Sequence, residues 1–347
     1  MNTANRYASA VTALAVALVS AALLWGCETK PEPAAKDARP VVGVLVYKQD
    51  DTYVSLVTTA IQLALADRAG VEVFDAGGDQ MLQNEQIDTG IRKKFSALAL
   101  NIVDPLAAGR VVDMVKKAGI PVVFFNREPD LGSIKGYSKA SFVGTNPFDA
   151  GIMQGDIIKE LWEKHPEYDR NRDGKCQYLM IQANLDNPEA VARTEYSVKR
   201  ARELGVDMRQ GGETLLCNWD ENLAYEAASL VLPLHKDTIE LIIANNDMMA
   251  LGAIKALNEA GYNLEGGDPA RFIPVVGVDA VPQAVAAIRQ GIMSATVVQD
   301  GEVMGKTIAA MLMNAVDGKD FLDGVPFPWD ESGIAVRIPH AHFSNEN

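Results

Sequence analysis

The chain is an acidic polypeptide of 347 residues, 48% hydrophobic and 22% charged. This length is sufficient for two globular domains with buried cores, and the composition argues against bulk disorder. The formal net charge of −14 is not interrupted by any block of Lys or Arg. Nucleic acid and anionic lipid are therefore disfavoured as partners, and cations and neutral solutes are favoured.

The N-terminus predicts export. Arg6 is the only charge in the first 26 residues, and an apolar, small-residue-rich stretch follows it. The sequence Leu24-Trp25-Gly26-Cys27 resembles a lipoprotein cleavage site, so residues 1–26 are predicted to be a signal peptide and Cys27 the lipidated N-terminus. Trp25 is large for its position, which leaves an uncleaved membrane helix as the alternative. Both alternatives place the domains in the periplasm or cell envelope, attached to a membrane.

A flexible tether is predicted after the signal. Residues 27–40 combine the lipidated Cys27 with prolines among small and charged residues, a composition typical of a linker. Removal of the signal removes Arg6, so the charge changes from −14 to −15.

From residue 41 onward, short apolar runs alternate with amphipathic stretches. Helices are predicted at residues 53–69, 81–94 and 105–118, and strands at 41–47, 71–75, 97–101, 121–125, 176–182, 208–216, 241–244, 275–278 and 295–299. This alternation predicts parallel sheets covered by helices, and its restart after Gly144-Thr145-Asn146 predicts two doubly wound domains. No glycine-rich dinucleotide fingerprint or phosphate loop follows a strand, which disfavours a nucleotide cofactor.

Polar and aromatic residues fall at the predicted carboxyl ends of the strands, where open α/β sheets bind ligands. Carboxylates and amides suit the hydroxyl groups of a neutral sugar, and aromatic rings suit its C–H faces. Since no nucleophile–base pair is found among them, they favour binding over catalysis, and the protein is predicted not to be an enzyme. The polar set is Asp51, Asn101, Glu189, Arg193, Asn246, Asp279 and Gln299, and the aromatic set is Tyr53 and Trp219.

Each of these residues also has a structural interpretation. Asp51, Asn246 and Asp279 follow apolar strands, where short polar residues commonly cap helices. Trp219 taken alone is more often a core residue than a stacking platform. The binding interpretation depends on all of them falling at strand ends, which capping does not require.

Residues 169–177 resemble an EF-hand calcium loop without its final ligand. Gly174 supplies the sharp turn, and the position of the final carboxylate is taken by Met180 within a predicted buried strand. A carboxylate from elsewhere in the chain must complete such a site, and an Asx-rich turn without metal is the alternative. The ligand positions are filled in order by Asp169, Asn171, Asp173, Lys175 and Gln177.

The two remaining cysteines are predicted to be free and buried. Cys176 begins one strand, whereas Cys217 ends another. If the two strands are parallel, opposite strand ends lie too far apart for a disulfide.

Five further segments are characteristic in sequence: YKQDD at 47–51, ALNIVDP at 99–105, PVVFFN at 121–126, IANND at 243–247 and VGVDA at 276–280. Together with the calcium loop, they resemble the periplasmic glucose/galactose-binding proteins of ABC uptake systems. The resemblance runs from about residue 41 to the C-terminus.

This resemblance implies an α/β protein with two doubly wound parallel-sheet domains joined by a three-stranded hinge, which closes on a sugar. The expected lobes are residues 41–120 plus 299–336, and residues 121–298 plus 337–347 with the calcium loop. Glu240 matches the family's distant calcium ligand, and the calcium would be structural. By motif, the sugar contacts are Asp51, Asn101, Arg193, Trp219, Asn246 and Asp279.

The chain departs from the family pattern at four positions, so the preference between glucose and galactose stays open. The departures are Tyr53 in place of Phe, Asn187 in place of His, Glu189 in place of Asp and Gln299 in place of Asn. A longer or neutral side chain moves the reach of a hydrogen bond, and a misplaced buried polar group costs roughly 1–3 kcal/mol.

The expected partners are a monosaccharide, an ABC permease and, as a further candidate, a chemoreceptor used in chemotaxis. A monomer is expected, with membrane contact only through the lipid and no contact with nucleic acid. A receptor for a different sugar or sugar-like signal is the first alternative. The effector domain of a DNA-binding repressor is disfavoured by the export signal, and a sugar-modifying enzyme by the missing base–nucleophile pair.

Overall fold

The computed structural model describes residues 39–235 and 238–345. The predicted signal peptide, Cys27 and the tether up to residue 38 lie outside the described residues. Within the described ranges, no helix combines the length and the apolar character needed to cross a membrane.

One sheet forms the first lobe. Its strands are β1 Val41–Val46, β2 Gly70–Asp75, β3 Ala97–Leu100, β4 Val122–Phe125, β5 Ala140–Gly144 and β12 Ala335–Arg337. They pair with one another only in parallel, in the spatial order β12-β5-β4-β3-β1-β2. The helices of this lobe are α1 Thr52–Leu65, α2 Gln80–Arg92, α3 Ala108–Ala118, α4 Leu131–Ile134 and α10 Gly301–Val316.

The second sheet forms the other lobe. Its strands are β6 Cys176–Gln182, β7 Met208–Gln210, β8 Leu215–Leu216, β9 Leu241–Ala244, β10 Val275–Asp279, β11 Ala295–Val298 and β13 Ala341–Ser344. Their spatial order is β13-β11-β10-β9-β6-β7, and β8 also pairs with β6. Of these strands only β13 is antiparallel to its neighbour. The helices are α5 Pro147–Lys164, α6 Pro188–Glu203, α7 Glu221–His235, α8 Asp247–Glu259 and α9 Pro282–Arg289.

The central strands are apolar on both faces because helices cover both faces of each sheet. In β3 and β9 every residue is buried. The layers pack closely enough to require glycine at Gly305, where an added Cβ would lie 2.5 Å from the Cβ of Ala60 on α1. The predicted α/β fold of two doubly wound lobes is therefore confirmed.

The chain passes between the lobes three times: after β5, after β11 and between β12 and β13. These crossings form the predicted three-stranded hinge. The predicted lobe boundary at residue 120 is corrected, because β4 pairs with β3 and β5 pairs with β4, so the first lobe continues to Gly144.

Two further details differ from the sequence predictions. The single strand predicted at residues 208–216 is two short strands, β7 and β8, separated at Gly211-Gly212. Strands β5, β12 and β13 were not predicted, because each is short or lies at a crossing. Cys176 and Cys217 are free and buried, as predicted.

The third crossing contains a buried histidine. His340 is 8% exposed, and neither ring nitrogen has a hydrogen-bond partner among the described residues. Burial, with a contribution from the charge of Arg193, lowers the pKa of His340 from 6.5 to about 3. The unfolded chain therefore takes up this proton first on acidification, and the stability contributed by the neutral ring is lost as the pH falls from about 6.5 to about 3.

We expect His340→Leu to reduce the acid sensitivity of the protein. At 1.36 kcal/mol per pH unit, the wild type should lose roughly 2 kcal/mol more unfolding free energy than the variant between pH 7 and pH 5. Urea unfolding of the ligand-free protein at both pH values measures this difference. His235→Leu, at the end of α7, is the matched control and should keep the wild-type dependence. An equal change in unfolding free energy between pH 7 and pH 5 for wild type and His340→Leu would contradict the lowered pKa of His340.

Candidate functional site

A cavity lies between the carboxyl ends of the strands of the two sheets, with an empty volume of about 380 Å³. Nine of the ten residues predicted to contact ligand line it, and we call it the cleft cavity. Its lining is Tyr47, Asp51, Tyr53, Asn126, Arg127, Asn187, Glu189, Arg193, Trp219, Asn246, Asp279 and Gln299.

Three lining residues also cap helices, so capping a helix and lining the cleft cavity are compatible. Asp51 Oδ1 accepts from the backbone N–H of Val54 at 3.0 Å. Asn187 Oδ1 caps α6 and Asn246 Oδ1 caps α8 in the same way, through bonds of 2.9–3.0 Å. Capping fixes each side chain by one oxygen. The Nδ2 groups of Asn187 and Asn246 donate to no residue in the described part of the chain and stay available to a ligand.

Arg193 of α6 is the buried centre of the second-lobe wall. Its Nη1 donates to the carbonyl oxygen of Asn245 and its Nη2 to Oε1 of Gln299, both at 2.8 Å. The carboxylates of Glu189 and Asp279 lie 3.7 and 3.8 Å from the same guanidinium. The cation therefore neutralises two acids without saturating their oxygens.

Burial dominates the electrostatics of these acids. It raises the pKa of Asp279 well above the ordinary value, although Arg193 opposes the shift. Burial also raises the pKa of Glu189, again against Arg193. Carboxyl groups in such a dry environment gain strongly from hydrogen-bond donors such as hydroxyl groups.

The two predicted aromatic residues come from opposite lobes. Tyr53, in the first turn of α1, is 5% exposed. Trp219 follows β8, packs partly against the second-lobe core and lies 5.6 Å, by ring centroid, from the guanidinium carbon of Arg193. Both rings line the cleft cavity, so each offers a flat apolar face to a ligand.

Backbone strain is concentrated at the same place. Asn126, Trp219 and Asp279 have φ values of 61°, 64° and 117°, in the left-handed region that non-glycine residues rarely adopt. Each such residue costs of order 1–3 kcal/mol and persists where the surroundings hold it. All three line the cleft cavity, which marks it as a functional site.

Asn101 does not line the cavity, and its role as a ligand contact stays a prediction. The residue is fully buried, its Nδ2 donates to the carbonyl oxygen of Phe125 at 3.0 Å, and its Oδ1 accepts from the N–H of Tyr47. Asn101 therefore ties the residue that follows β1 to the last residue of β4. Its position at a strand end is as predicted, but the neighbouring backbone uses its side chain.

Three lining residues were not predicted: Tyr47, Asn126 and Arg127. Asn126 and Arg127 directly follow β4, so the strand-end rule that selected the others also applies to them. Tyr47 ends the apolar run of β1, and its hydroxyl donates to Asp51. Gln299 Nε2 donates to Oδ1 of Asn126 at 3.1 Å, which links the two lobes across the cavity.

The predicted calcium loop lies at the opposite, amino-terminal end of the second sheet, immediately before β6. Its oxygens turn inward onto the loop's own backbone. Asp169 Oδ2 accepts from Gly174 N–H at 2.9 Å, and Asn171 Oδ1 accepts from Asp173 N–H at 2.8 Å. The Lys175 ammonium lies 3.4 Å from Asp173 Oδ2.

Glu240, which precedes β9, joins this loop as predicted. Its Oε1 accepts from Arg170 N–H at 2.7 Å, and its Oε2 accepts from Gln177 N–H at 3.3 Å. Burial raises the pKa of Glu240. The Oε1 atom of Gln177 is buried and has no partner among the described residues.

The oxygen-rich residue types of this loop fit calcium, which takes six to eight oxygen ligands. The unpartnered Gln177 oxygen and the carboxylate supplied by Glu240 support that fit. In the described ranges, no three His, Cys, Asp or Glu side chains are grouped as a metal site. Binding would therefore require the carboxylates of Asp169, Asp173 and Glu240 to turn from the backbone amides towards the ion.

Comparison with known proteins gives consistent results. Residues 42–320 match the family described as the periplasmic binding protein domain. The D-galactose/methyl-galactoside binding periplasmic protein MglB of Haemophilus influenzae is 33% identical over 341 residues, covering 96% of this chain and 95% of that protein. A putative rhizopine-binding protein of Rhizobium meliloti is 28% identical, covering 88% of this chain and 93% of that protein.

Solved structures share the fold. An ABC transporter solute binding protein of Bacillus halodurans with bound myo-inositol superposes with a TM-score of 0.72 at 25% identity, covering 89% of this chain and 96% of that chain. GanP, a glucose-galactose binding protein of Geobacillus stearothermophilus, superposes with a TM-score of 0.65 at 18% identity, covering 90% and 99%.

Proposed function

Because this chain belongs to the periplasmic binding proteins, the sugar-binding components of ABC transporters, we propose that it captures glucose, galactose or both in the cleft cavity and delivers the sugar to a permease. The observation that carries the proposal is the convergence of nine predicted strand-end residues on one buried cavity. The similarity to a galactose-binding protein over almost the whole chain supports it.

The cavity offers a sugar both kinds of hydrogen-bonding partner. The carboxyl oxygens of Glu189 and Asp279 would accept from hydroxyl groups, and the amide nitrogens of Asn187 and Asn246 would donate to hydroxyl oxygens. Tyr53 and Trp219 would cover the ring faces. The lining contains no nucleophile activated by a base, which supports binding without turnover.

Closure of the hinge is the proposed signal to the permease. Residues of both lobes line the cavity, and the Gln299–Asn126 hydrogen bond already joins them. A sugar that touches both lobes stabilises the closed arrangement, because opening the hinge would break its interactions with one of them. A chemoreceptor that recognises the same closed form is the further proposed partner, and its capture on the sugar-loaded but not on the sugar-free protein would test that partnership.

A different polyol is the second candidate ligand. The Bacillus halodurans protein with bound myo-inositol is 25% identical to this chain. A cyclic polyol presents hydroxyl groups to a donor–acceptor lining much as a pyranose does, and Asn187, Glu189 and Gln299 are the positions that would distinguish the two.

We propose that calcium binds the loop of Asp169, Asn171, Asp173, Lys175 and Gln177 together with Glu240. The bound ion would hold the start of β6 against the start of β9, which is a structural role. This site lies at the amino-terminal ends of the strands, whereas the cleft cavity lies at their carboxyl ends.

We also propose that the mature protein is anchored through a lipid on Cys27, on the basis of the Leu24-Trp25-Gly26-Cys27 sequence. The domains would then remain near the permease.

Titration calorimetry of the mature protein, from Glu28, with glucose, galactose and myo-inositol tests the ligand class. We expect one-to-one binding of a hexose without turnover. Glu189→Gln should weaken that binding about 10- to 100-fold, because a charged acceptor becomes neutral. Glu85→Gln, on the exposed surface of α2, should bind as the wild type. Binding heat with myo-inositol but with neither sugar would identify a polyol, not a hexose, as the ligand. No binding heat with any of the three compounds would overturn the proposal.

Thermal unfolding with and without calcium tests the metal site. Calcium at about 100 times its dissociation constant should stabilise the wild type by about 2.7 kcal/mol, and EGTA should remove this effect. Glu240→Gln and Asp169→Asn should lose the calcium-dependent shift, whereas Asp113→Asn on α3 should retain it. A wild-type melting temperature that does not respond to calcium would rule the site out.

Detergent phase partitioning of the full chain tests the anchor. The wild type is expected in the detergent phase. Cys27→Ala cannot be lipidated, and it is expected in the aqueous phase when another signal peptidase removes residues 1–26. Metabolic labelling with palmitate gives the chemical identity of the anchor. Absence of label from the wild type would exclude lipidation and favour an uncleaved membrane helix.

A further inference from the structure

Asp247 is a fully buried acid of the second lobe, with 0% of its surface exposed. It begins α8, directly after the cap Asn246, and it is not among the residues that line the cleft cavity. It ends the segment IANND at 243–247, but neither the strand-end pattern nor the family resemblance gives it a function. Because acids are almost never fully buried unless they are paired or hydrogen-bonded, its contacts indicate what it does.

Both carboxylate oxygens of Asp247 are bonded to protein. Its Oδ1 accepts from Oγ1 of Thr296 on β11 at 2.7 Å, and its Oδ2 accepts from the N–H of Val281 at 3.0 Å. Oγ1 of Thr296 in turn accepts from the N–H of Ala280 at 3.4 Å. Asp247 and Thr296 together therefore bind the two successive backbone amides that follow Asp279.

These amides belong to a strained turn, which we call the Asp279 turn and which consists of residues 279–281. Asp279 and Ala280 have φ values of 117° and 56°, so two successive non-glycine residues lie in the left-handed region. Such a conformation persists only where its surroundings hold it. The hydrogen bonds from the turn to Asp247 and Thr296 are therefore what keeps Asp279 at the wall of the cleft cavity.

The neighbouring strand provides the space for this contact. Gly277 on β10 is the sheet partner of Thr296 on β11. A Cβ added at Gly277 would lie 2.2 Å from Oδ1 of Asp247. The carboxylate of α8 can therefore cross β10 and reach β11 only because residue 277 has no side chain.

The same cation acts on both acids. Burial raises the pKa of Asp247 and of Asp279, and the charge of Arg193 opposes both shifts. The charge of Asp247 adds to the raised pKa of Asp279. A neutral amide at position 247 would therefore favour the ionised form of Asp279 while keeping an acceptor for Val281.

We propose that Asp247 is a positioning residue of the sugar site, which holds the Asp279 turn through Val281 and Thr296 and so sets where the Asp279 carboxylate meets a sugar hydroxyl. This role rests on the proposed sugar-binding function. Asp247 does not touch the ligand and acts through Asp279. Losses of affinity at the two positions should therefore not be additive.

The first test is calorimetry with whichever of glucose, galactose and myo-inositol the wild type binds. Thr296→Val removes the hydroxyl at nearly constant shape and should weaken binding about tenfold, and Asp247→Ala should weaken it about 10- to 100-fold. Asp247→Asn should weaken it least, because the amide oxygen still accepts from Val281. Wild-type affinity in both Thr296→Val and Asp247→Ala would overturn the role of Asp247 and leave the sugar-binding function intact.

Asn263→Ala is the matched control. Asn263 is also buried in the second lobe, but it precedes β10, and its side chain bonds to both backbone groups of Ile273 at 2.7 and 2.8 Å. The variant should lower the melting temperature and keep the wild-type affinity. A loss of affinity in Asn263→Ala as large as that in Thr296→Val would attribute the effect to stability and overturn the proposal.

The second test is a double-mutant cycle with Asp279→Asn, followed by ligand-detected NMR titration, which reaches millimolar dissociation constants. Once Asp279→Asn has replaced the carboxylate, Thr296→Val should weaken binding further by less than about threefold. A further tenfold loss would show that Thr296 and Asp247 act independently of Asp279, which would overturn the positioning role alone. A wild type that binds none of the three ligands would overturn the sugar-binding function as well.

Discussion

The cleft cavity depends on one buried guanidinium, that of Arg193. Its two Nη atoms bond to Asn245, which follows β9, and to Gln299, which follows β11, while Asp279 at the end of β10 lies 3.8 Å away. Three adjacent strand ends are therefore held at fixed spacing by one side chain. A buried cation with partly paired acids is costly to assemble and is retained where it specifies geometry. Here that geometry is the second-lobe wall of the site.

The same cation connects the lobes. Gln299 accepts from Arg193 with its oxygen and donates to Asn126 of the first lobe with its nitrogen. One amide thus carries a hydrogen-bond chain from α6 across the hinge to the end of β4. Under the proposed function, a ligand that alters the Arg193 environment would alter this chain, and the loaded and empty forms would then differ in their hydrogen bonds between the lobes.

Sequence and structure agree where a local signal determines the position. Asp51 and Asn246 could be predicted because short polar residues are common both at strand ends and at helix caps. In the structure each of them caps a helix and lines the cleft cavity. Asn101 carries the same signal, but its side chain turns towards Tyr47 and Phe125, and no local pattern gives that direction. Glu240 required the family resemblance, because it lies more than 60 residues from the loop that it contacts.

Lobe membership could not be predicted for a similar reason. Strand β4 is buried on both faces, so its sequence contains no indication of which sheet it joins. Its misassignment to the second lobe also separated Asn126 and Arg127 from the first-lobe residues that they accompany. Pairing with β3 is decided by contacts distant in sequence, whereas strand identity is decided locally.

The helix caps determine which polar atoms of the lining residues remain available to a ligand. Asp51, Asn187 and Asn246 each commit an oxygen to a helix N-terminus, so what Asn187 and Asn246 present to the cavity is N–H donors. The acceptors then have to come from residues that are not caps, and Glu189 and Asp279 fill that role. The fold therefore decides the hydrogen-bonding character of the cavity before any ligand enters.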